Sequence, residues 1–137
     1  QIQFAGLLYG GVAERFPDLR VGFLECGVGW VPYWMDRMDE EWEKRGSVET
    51  PLCKERPSDY VKNGNWYFAA EPEEEMLPYV IDRVGEDKIL FASDYPHWDG
   101  MFPHVVSTIR GRHDISESAK RKILGANATR FYRFNSG

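Results

Sequence analysis

The sequence has 137 residues, of which 42% are hydrophobic and 28% charged, with a net charge of −5. This length and composition are typical of one folded domain with a core and exclude a disordered chain. The acidic balance argues against nucleic acid or an anionic membrane surface as the main partner. No apolar run approaches the roughly 18 residues that a membrane span needs.

The N-terminal residues and the cysteines indicate whether the sequence is part of a longer protein and where in the cell it is located. Gln1 is not an initiator methionine, so we expect this sequence to be part of a longer protein. Residues 1–11 lack the basic start and cleavage site of a signal peptide. Cys26 stands in an apolar run, which predicts a core position, whereas Cys53 stands in a polar stretch. An unpaired, reduced pair is typical of a cytoplasmic protein, which is the location we expect.

Hydrophobic periodicity predicts an alternation of helices and strands. Short apolar runs between turn residues predict three strands, over residues 19–24, 66–70 and 88–93. Helical spacing predicts helices over residues 7–16, 76–84 and 102–110, and a short one over 127–134. Another helix is predicted to begin at Pro32. A further helix is predicted to have Asp114 or Ser116 as its N-cap and to end at Gly125. Residues 46–64 are predicted to form a long connection.

Helices that alternate with strands predict an α/β fold with a parallel sheet. Three strands make a poor free-standing sheet with helices on both faces. They are a fair part of a TIM-type (β/α)8 barrel, whose full form needs about 250 residues.

An acidic residue follows each predicted strand: Glu25, Glu71 and Asp94. Active residues of parallel α/β folds lie just past the carboxyl ends of strands, where a metal ion or a basic substrate group would balance such charges. Each residue also has a structural explanation. Asp94 can form a turn, Glu25 can pair with an arginine, and Glu71 is best explained by the acidic first turn of a helix.

Other motifs give weaker signals. His97 follows Asp94 by three residues, but Pro96 prevents a helix there, so the spacing does not predict a helical metal pair. The histidines do not form a His-x-His or His-Glu-x-x-His motif. The segment Gly27-Val28-Gly29 lacks the third glycine and the Lys-Ser or Lys-Thr of a phosphate loop.

Three stretches together resemble the amidohydrolase-related metal-dependent hydrolases, the branch that includes aminocarboxymuconate-semialdehyde decarboxylase. They are GGVAERFPDLRVGFLECGVGWVPYWMDRMDEEW, LFASDYPHWDG and KILGANATRFYRF. The resemblance implies a (β/α)8 barrel with one divalent metal ion, usually zinc with manganese as the alternative. It also implies that residues 1–137 are a single partial domain, the C-terminal part of the barrel with its last three strands.

The same resemblance assigns roles to residues of the second stretch. Asp94 matches the family's metal-binding aspartate, which ligates the ion and holds or deprotonates its water. His97 and Trp98 are expected to bind substrate at the mouth of the pocket.

Two departures from the family pattern bear on the chemistry. Decarboxylases of this family have a catalytic histidine where this sequence has Glu25, which could transfer protons if burial raised its pKa. The family's His-x-His pair and a further metal histidine would precede Gln1. Asp94 alone therefore cannot form a three-ligand site, and we expect the other ligands from a longer chain or a partner chain.

The leading hypothesis is a metal-dependent hydrolase or non-oxidative decarboxylase of a small organic, possibly aromatic, acid. Asp94 would be the metal ligand and Glu25 the proton-transfer group, in a homo-oligomer. The alternative is a truncated, non-catalytic barrel fragment that self-associates through its open sheet edges. A nucleotide-binding domain is disfavoured because no phosphate loop is present.

Overall fold

The computed structural model describes residues 1–98 and 100–134. The chain forms two compact units: the first comprises Gln1–Val21 and Trp30–Trp66, and the second comprises Gly22–Gly29 with the residues from Tyr67 onward. The expectation that residues 1–137 are one partial domain stays a prediction.

The three predicted strands are present in a single sheet. They are β1 (Val21–Phe23), β2 (Trp66–Ala70) and β3 (Ile89–Phe91), and β2 lies in the middle. β2 and β3 are parallel, with Phe68 opposite Ile89 and Ala70 opposite Phe91. All five residues of β2 are buried, as expected for the central strand of a sheet covered on both faces.

The first unit contains four helices, α1 (Ile2–Tyr9), α2 (Val12–Arg15), α3 (Trp30–Glu49) and α4 (Pro57–Asn63). The prediction of one helix over residues 7–16 is wrong, because the chain turns at Gly10 and Gly11. Gly11 has a φ of 69°, and a β-carbon there would lie 2.6 Å from the carbonyl oxygen of Leu52. Only glycine combines that backbone conformation with such a close approach.

Two further boundaries in the first unit differ from the prediction. α3 begins at Trp30, two residues before Pro32, and extends to Glu49. The predicted long connection over residues 46–64 therefore contains the end of α3 and all of α4. Asp39 explains why α4 forms in this polar stretch, because its carboxylate accepts hydrogen bonds from the backbone N–H and the hydroxyl of Ser58, at 2.9 and 2.6 Å.

Aromatic side chains form much of the core of the first unit. The buried ring of Phe4 meets the rings of Trp30 and Trp66 edge to face, at centroid distances of 5.3 and 6.0 Å. The Tyr9 hydroxyl donates a hydrogen bond of 2.8 Å to the carbonyl of Met38. Burial, with smaller contributions from Cys53 and nearby carboxylates, raises the pKa of Tyr9 to about 12.

The expected environments of the two cysteines are reversed. Cys53 is buried with 4% of its surface exposed, and the indole N–H of Trp42 donates a hydrogen bond to its carbonyl. Cys26 is exposed, since β1 ends at Phe23 and Cys26 lies in the loop beyond it. Both cysteines are unpaired.

The second unit contains α5 (Leu77–Val84), a 3₁₀ turn (Glu86–Lys88), α6 (Val105–Gly111), α7 (Glu117–Arg121), a π turn (Lys122–Ala126) and α8 (Asn127–Tyr132). Of the two candidate caps for α7, Ser116 is the N-cap, and its hydroxyl accepts a hydrogen bond from the N–H of Ala119 at 3.0 Å. The prediction that Gly125 ends this helix is wrong, because the π turn carries the helical backbone through Gly125 into α8. The short helix predicted over residues 127–134 corresponds to α8.

Asn127 fixes the start of β3. Its side chain is fully buried, and Nδ2 donates hydrogen bonds of 2.7 Å to the carbonyls of Glu86 and Ile89. Nearby, Tyr67, Ala69 and Leu90 form a buried cluster against Phe131. A hydrophobic contact and a buried polar contact therefore both hold the C-terminal helix on the sheet.

Charged residues reinforce the same region at the surface. Glu86 accepts a hydrogen bond from the Ser118 hydroxyl at 2.8 Å and forms an ion pair with Lys122 at 2.7 Å. Lys122 also lies 3.0 Å from Asp87. The Lys122 ammonium lowers the pKa of both carboxyls below their ordinary values.

No helix within the described part of the chain is both long enough and apolar enough to cross a membrane.

The two hydrogen bonds of Asn127 predict a large stability effect. Asn127→Ala leaves two buried carbonyls without donors, so we expect the free energy of unfolding to fall by about 2–4 kcal/mol in urea denaturation. Asn63→Ala, at the exposed end of α4, is the matched control and should change it by less than about 0.5 kcal/mol. Equal effects of the two substitutions would show that Asn127 does not anchor β3.

Candidate functional site

A cleft of about 370 Å³ lies in the second unit, at the carboxyl ends of the strands. Its lining contains the acidic residue that follows each strand, together with small and apolar residues. The lining residues are Glu25, Ala69, Ala70, Glu71, Pro72, Glu73, Ala92, Ser93, Asp94, His97, Gly100, Met101 and Val105. The structure brings Glu25, Glu71 and Asp94 together in the lining of this one cleft.

Glu25 and Asp94 share an uncommon backbone conformation. Their φ angles are 56° and 55°, and Arg133 is the third non-glycine residue with positive φ in the part of the chain that the structure describes. Left-handed backbone costs an ordinary residue free energy and tends to be found at functional sites. Both residues thus have left-handed backbone within three residues of the end of a strand, and both line the cleft.

Asp94 and His97 are in contact. His97 Nδ1 lies 2.7 Å from Asp94 Oδ1, and the backbone N–H of His97 donates a 2.8 Å hydrogen bond to the Asp94 carbonyl. The sequence correctly excluded a helical pair, but a turn brings the two side chains together instead. The Asp94 side chain is 31% exposed and that of His97 is 63% exposed.

Glu71 and Glu73 also lie in the cleft. The favoured explanation of Glu71, the acidic first turn of a helix, is wrong because α5 begins only at Leu77 and has no acidic residue in its first turn. Residues 71–76 form turns instead. Arg112 holds this segment, since its Nη1 donates a 2.9 Å hydrogen bond to the carbonyl of Pro72 while its other nitrogens contact Asp114.

The backbone of Gly27-Val28-Gly29 donates hydrogen bonds to a carboxylate of the same chain, that of Glu74. Glu74 Oε1 accepts hydrogen bonds from the N–H groups of Val28 and Gly29, at 2.8 and 2.6 Å. Glu74 Oε2 accepts a second contact from Val28 at 3.0 Å. The sequence analysis missed Glu74, because the two segments are 46 residues apart and share no local motif.

Trp98 is not brought into the cleft. It is 94% exposed and absent from the lining, so its substrate-binding role stays a prediction. Tyr95 and Phe102 lie on the same connection after β3, with ring centroids 4.7 Å apart, and both are more than half exposed.

The charge of the cleft sets its chemistry. Four carboxylates and one imidazole line it, and the described lining contains no lysine or arginine. Carboxylate and imidazole are ordinary ligands of divalent metal ions, so side chains of the kind that bind such an ion are present in the lining. Among residues 1–98 and 100–134, however, no three His, Cys, Asp or Glu side chains are grouped closely enough to hold a metal ion.

Comparison with known proteins identifies the relatives of this arrangement. The model of an amidohydrolase family matches residues 1–134. A curated 2-amino-3-carboxymuconate-6-semialdehyde decarboxylase from Dictyostelium discoideum is 27% identical over 132 residues, which are 95% of this chain and 35% of that protein.

Two solved structures extend the comparison. An amidohydrolase from Mycobacterium avium subsp. paratuberculosis has a TM-score of 0.80 and 30% identity, covering 93% of this chain and 32% of its own. A dihydroxybenzoic acid decarboxylase from Polaromonas sp. JS666, with bound manganese and the inhibitor 2-nitroresorcinol, has a TM-score of 0.79 and 25% identity, covering 99% and 40%. The chain thus matches these amidohydrolase barrels and spans well under half of their length.

The exposure of Cys26 next to Glu25 predicts selective thiol labelling. Burial, followed by the Glu14 and Asp39 carboxylates, raises the pKa of Cys53 from 9.0 to about 11, which reduces its thiolate at pH 8 by about 100-fold. One fast thiol per chain should therefore react with an aromatic disulfide reagent. Cys26→Ser should remove the fast phase and Cys53→Ser should leave it. A fast phase lost in Cys53→Ser would contradict the described geometry.

Proposed function

The chain belongs to the amidohydrolase family, and on that premise we propose that it is the C-terminal part of a metal-dependent non-oxidative decarboxylase or hydrolase of small organic acids. It supplies the last three strands of the barrel in this proposal. Because the chain spans between 32% and 40% of the relatives compared above, the complete activity belongs to a larger assembly.

One observation carries the proposal: Glu25 and Asp94, from different strand ends, lie in one acidic cleft in strained backbone conformations. A fold stabilised by packing alone has no need to gather four carboxylates around a cleft without a basic side chain in its described lining. Like charges repel across such a site, and a bound cation relieves that repulsion.

A divalent cation is the group that this cleft suits. Asp94 is the residue that would hold it, and His97 orients the carboxylate through the 2.7 Å contact between Nδ1 and Oδ1. The ion would act as a Lewis acid that polarises an oxygen of the substrate or activates water. Manganese is bound in the Polaromonas decarboxylase, and zinc is the alternative that the resemblance implies.

Glu25 is positioned to move a proton. In decarboxylation the carbon that loses carbon dioxide must gain a proton, which the neutral Glu25 carboxyl can donate; in hydrolysis the ionised form can accept a proton from the attacking water. The family resemblance implies a histidine at this position in the decarboxylases, so Glu25 would make the same transfer from a carboxyl group rather than from an imidazole.

The substrate of this proposal is a small aromatic or related organic acid. Ala69, Ala70 and Ala92 at the strand ends leave room in the cleft, and Met101 and Val105 give it an apolar side. An aromatic ring suits that side, while the carboxylate of the substrate suits a bound cation.

The remaining ligands would come from parts of a barrel that this chain does not span or from a second copy. We also propose a homo-oligomer, which the edge strands β1 and β3 support, since unpaired strand edges favour association. The two unpaired cysteines support a cytoplasmic location.

Separate substitutions test the two assigned roles. Asp94→Ala should weaken manganese binding to the assembled protein at least tenfold, because it removes a ligand, whereas Asp82→Ala, an exposed aspartate on α5, should leave it unchanged. Glu25→Gln should retain manganese binding but lower kcat of the assembled enzyme by about 10²–10⁴-fold. Calorimetric titration with manganese and release of carbon dioxide from a dihydroxybenzoate measure these effects.

Identical manganese affinity of the assembled protein with and without Asp94→Ala would contradict the ligand role. Full turnover in Glu25→Gln would contradict the proton-transfer role.

A further inference from the structure

We propose that Glu74 is a positioning residue, whose carboxylate joins the two loops that carry the cleft acids Glu25 and Glu71. The inference rests on the proposed function only for the catalytic importance of Glu25. The hydrogen bonds from Val28, Gly29 and Glu71 to the Glu74 carboxylate, called the joint below, lie entirely within the second unit.

The contact with the first loop is short and has several donors. Glu74 Oε1 lies 2.8 Å from the amide nitrogen of Val28 and 2.6 Å from that of Gly29, and Oε2 lies 3.0 Å from Val28. Hydrogen bonds to a carboxylate are roughly twice as strong as those between neutral groups. Val28 is fully buried, and Glu25 is only three residues before it. The Glu74 carboxylate therefore holds the backbone three residues after Glu25.

The first loop is shaped to admit this carboxylate. A β-carbon at Gly27 would lie 3.1 Å from Glu74 Oε1, and one at Gly29 would lie 3.2 Å from it. Gly27 also has a φ of 60°, which disfavours other residues. The two glycines that resemble part of a phosphate loop thus serve the approach of an internal anion.

The same side chain organises its own loop. The backbone N–H of Glu71 points at Glu74 Oε2 over 3.4 Å, and the N–H of Glu74 donates to the Glu71 carbonyl at 3.2 Å. Arg112 fixes the intervening Pro72 through its carbonyl. One carboxylate therefore contacts the backbone beside Glu25 and the backbone of Glu71, and it sets the spacing of two acids that line the cleft.

Glu74 lies outside the lining of the cleft, so its effect on chemistry would be indirect. It touches the backbone of the loops rather than the space where substrate would sit. Substitution should consequently alter the placement of Glu25 without removing a group that contacts substrate.

Nuclear magnetic resonance of the full 137-residue chain tests the joint directly. A long-range correlation experiment should detect scalar coupling from the Glu74 carboxylate carbon to the amide nitrogen of Val28 or Gly29 in the unsubstituted chain. Absence of the coupling, combined with unprotected Val28 and Gly29 amides, would overturn the proposal even if every variant failed to fold.

Variants then test the consequence for the site. Glu74→Gln should accelerate hydrogen exchange at Val28 and Gly29 by about tenfold or more, and should change the thiol reaction rate of Cys26, which is adjacent to Glu25. Exchange at Leu90 in β3 should stay unchanged, since a general loss of stability would accelerate that amide as well. Glu74→Asp, which keeps the charge but is one methylene shorter, should give an intermediate effect.

Glu75→Gln is the matched control, because Glu75 is exposed and lies outside the cleft lining. Equal exchange and thiol rates in Glu74→Gln and Glu75→Gln would overturn the positioning role. These measurements need neither metal nor substrate, so they are independent of the proposed function. If the chain shows the scalar coupling but binds no manganese, the positioning role of Glu74 stands and the proposed function fails. If it binds manganese but lacks the coupling, only the positioning role of Glu74 fails.

Discussion

Electrostatic repulsion among carboxylates at the ends of parallel strands is the constraint on which the second unit depends. Glu25, Glu71, Glu73 and Asp94 line one cleft of about 370 Å³. Parallel strands make this unavoidable once each is followed by an acid, because their carboxyl ends meet at one edge of the sheet. The fold therefore has to hold like charges together, and a cation bound in the cleft would balance them.

Polar contacts to backbone hold the loops of the second unit, whereas the described lining of the cleft contains no basic side chain. Glu74 receives N–H groups of the loop after β1, and Arg112 holds a carbonyl of the loop after β2. Asn127 anchors the start of β3, the strand that leads to Asp94. These contacts hold the backbone of the loops that carry the cleft carboxylates.

Much of the sheet could be predicted from the sequence, because each strand is a short apolar run between turn residues. β2 was predicted residue for residue, since its five residues are all buried and both ends are marked by polar residues. The helix break at Gly10 and Gly11 was missed, because the need for glycine arises from Leu52, which is distant in the sequence. α4 was missed for a similar reason, as Asp39 supplies its N-terminal hydrogen bonds.

Some features of the candidate site could likewise be predicted from the sequence and others could not. Glu25 and Asp94 could be predicted as site candidates because each follows a predicted strand, although only the family resemblance distinguished Asp94 from an ordinary turn residue. The contact between Asp94 and His97 depends on a turn, and that of Glu74 with Val28 depends on two segments 46 residues apart. Neither leaves a periodic or spaced pattern, so neither could be predicted without coordinates.

The most direct measurement of the central claim is paramagnetic broadening by manganese in the amide spectrum of the isotopically labelled chain. Nuclei close to a bound manganese ion lose intensity first during a titration, so the spectrum locates the ion without assuming a site. The account predicts that amides around Asp94 and Glu25 disappear before those of the exposed acidic residues Glu40 and Glu43 on α3. Broadening that begins at Glu40 and Glu43, or that is uniform along the chain, would contradict a metal-binding role for this cleft.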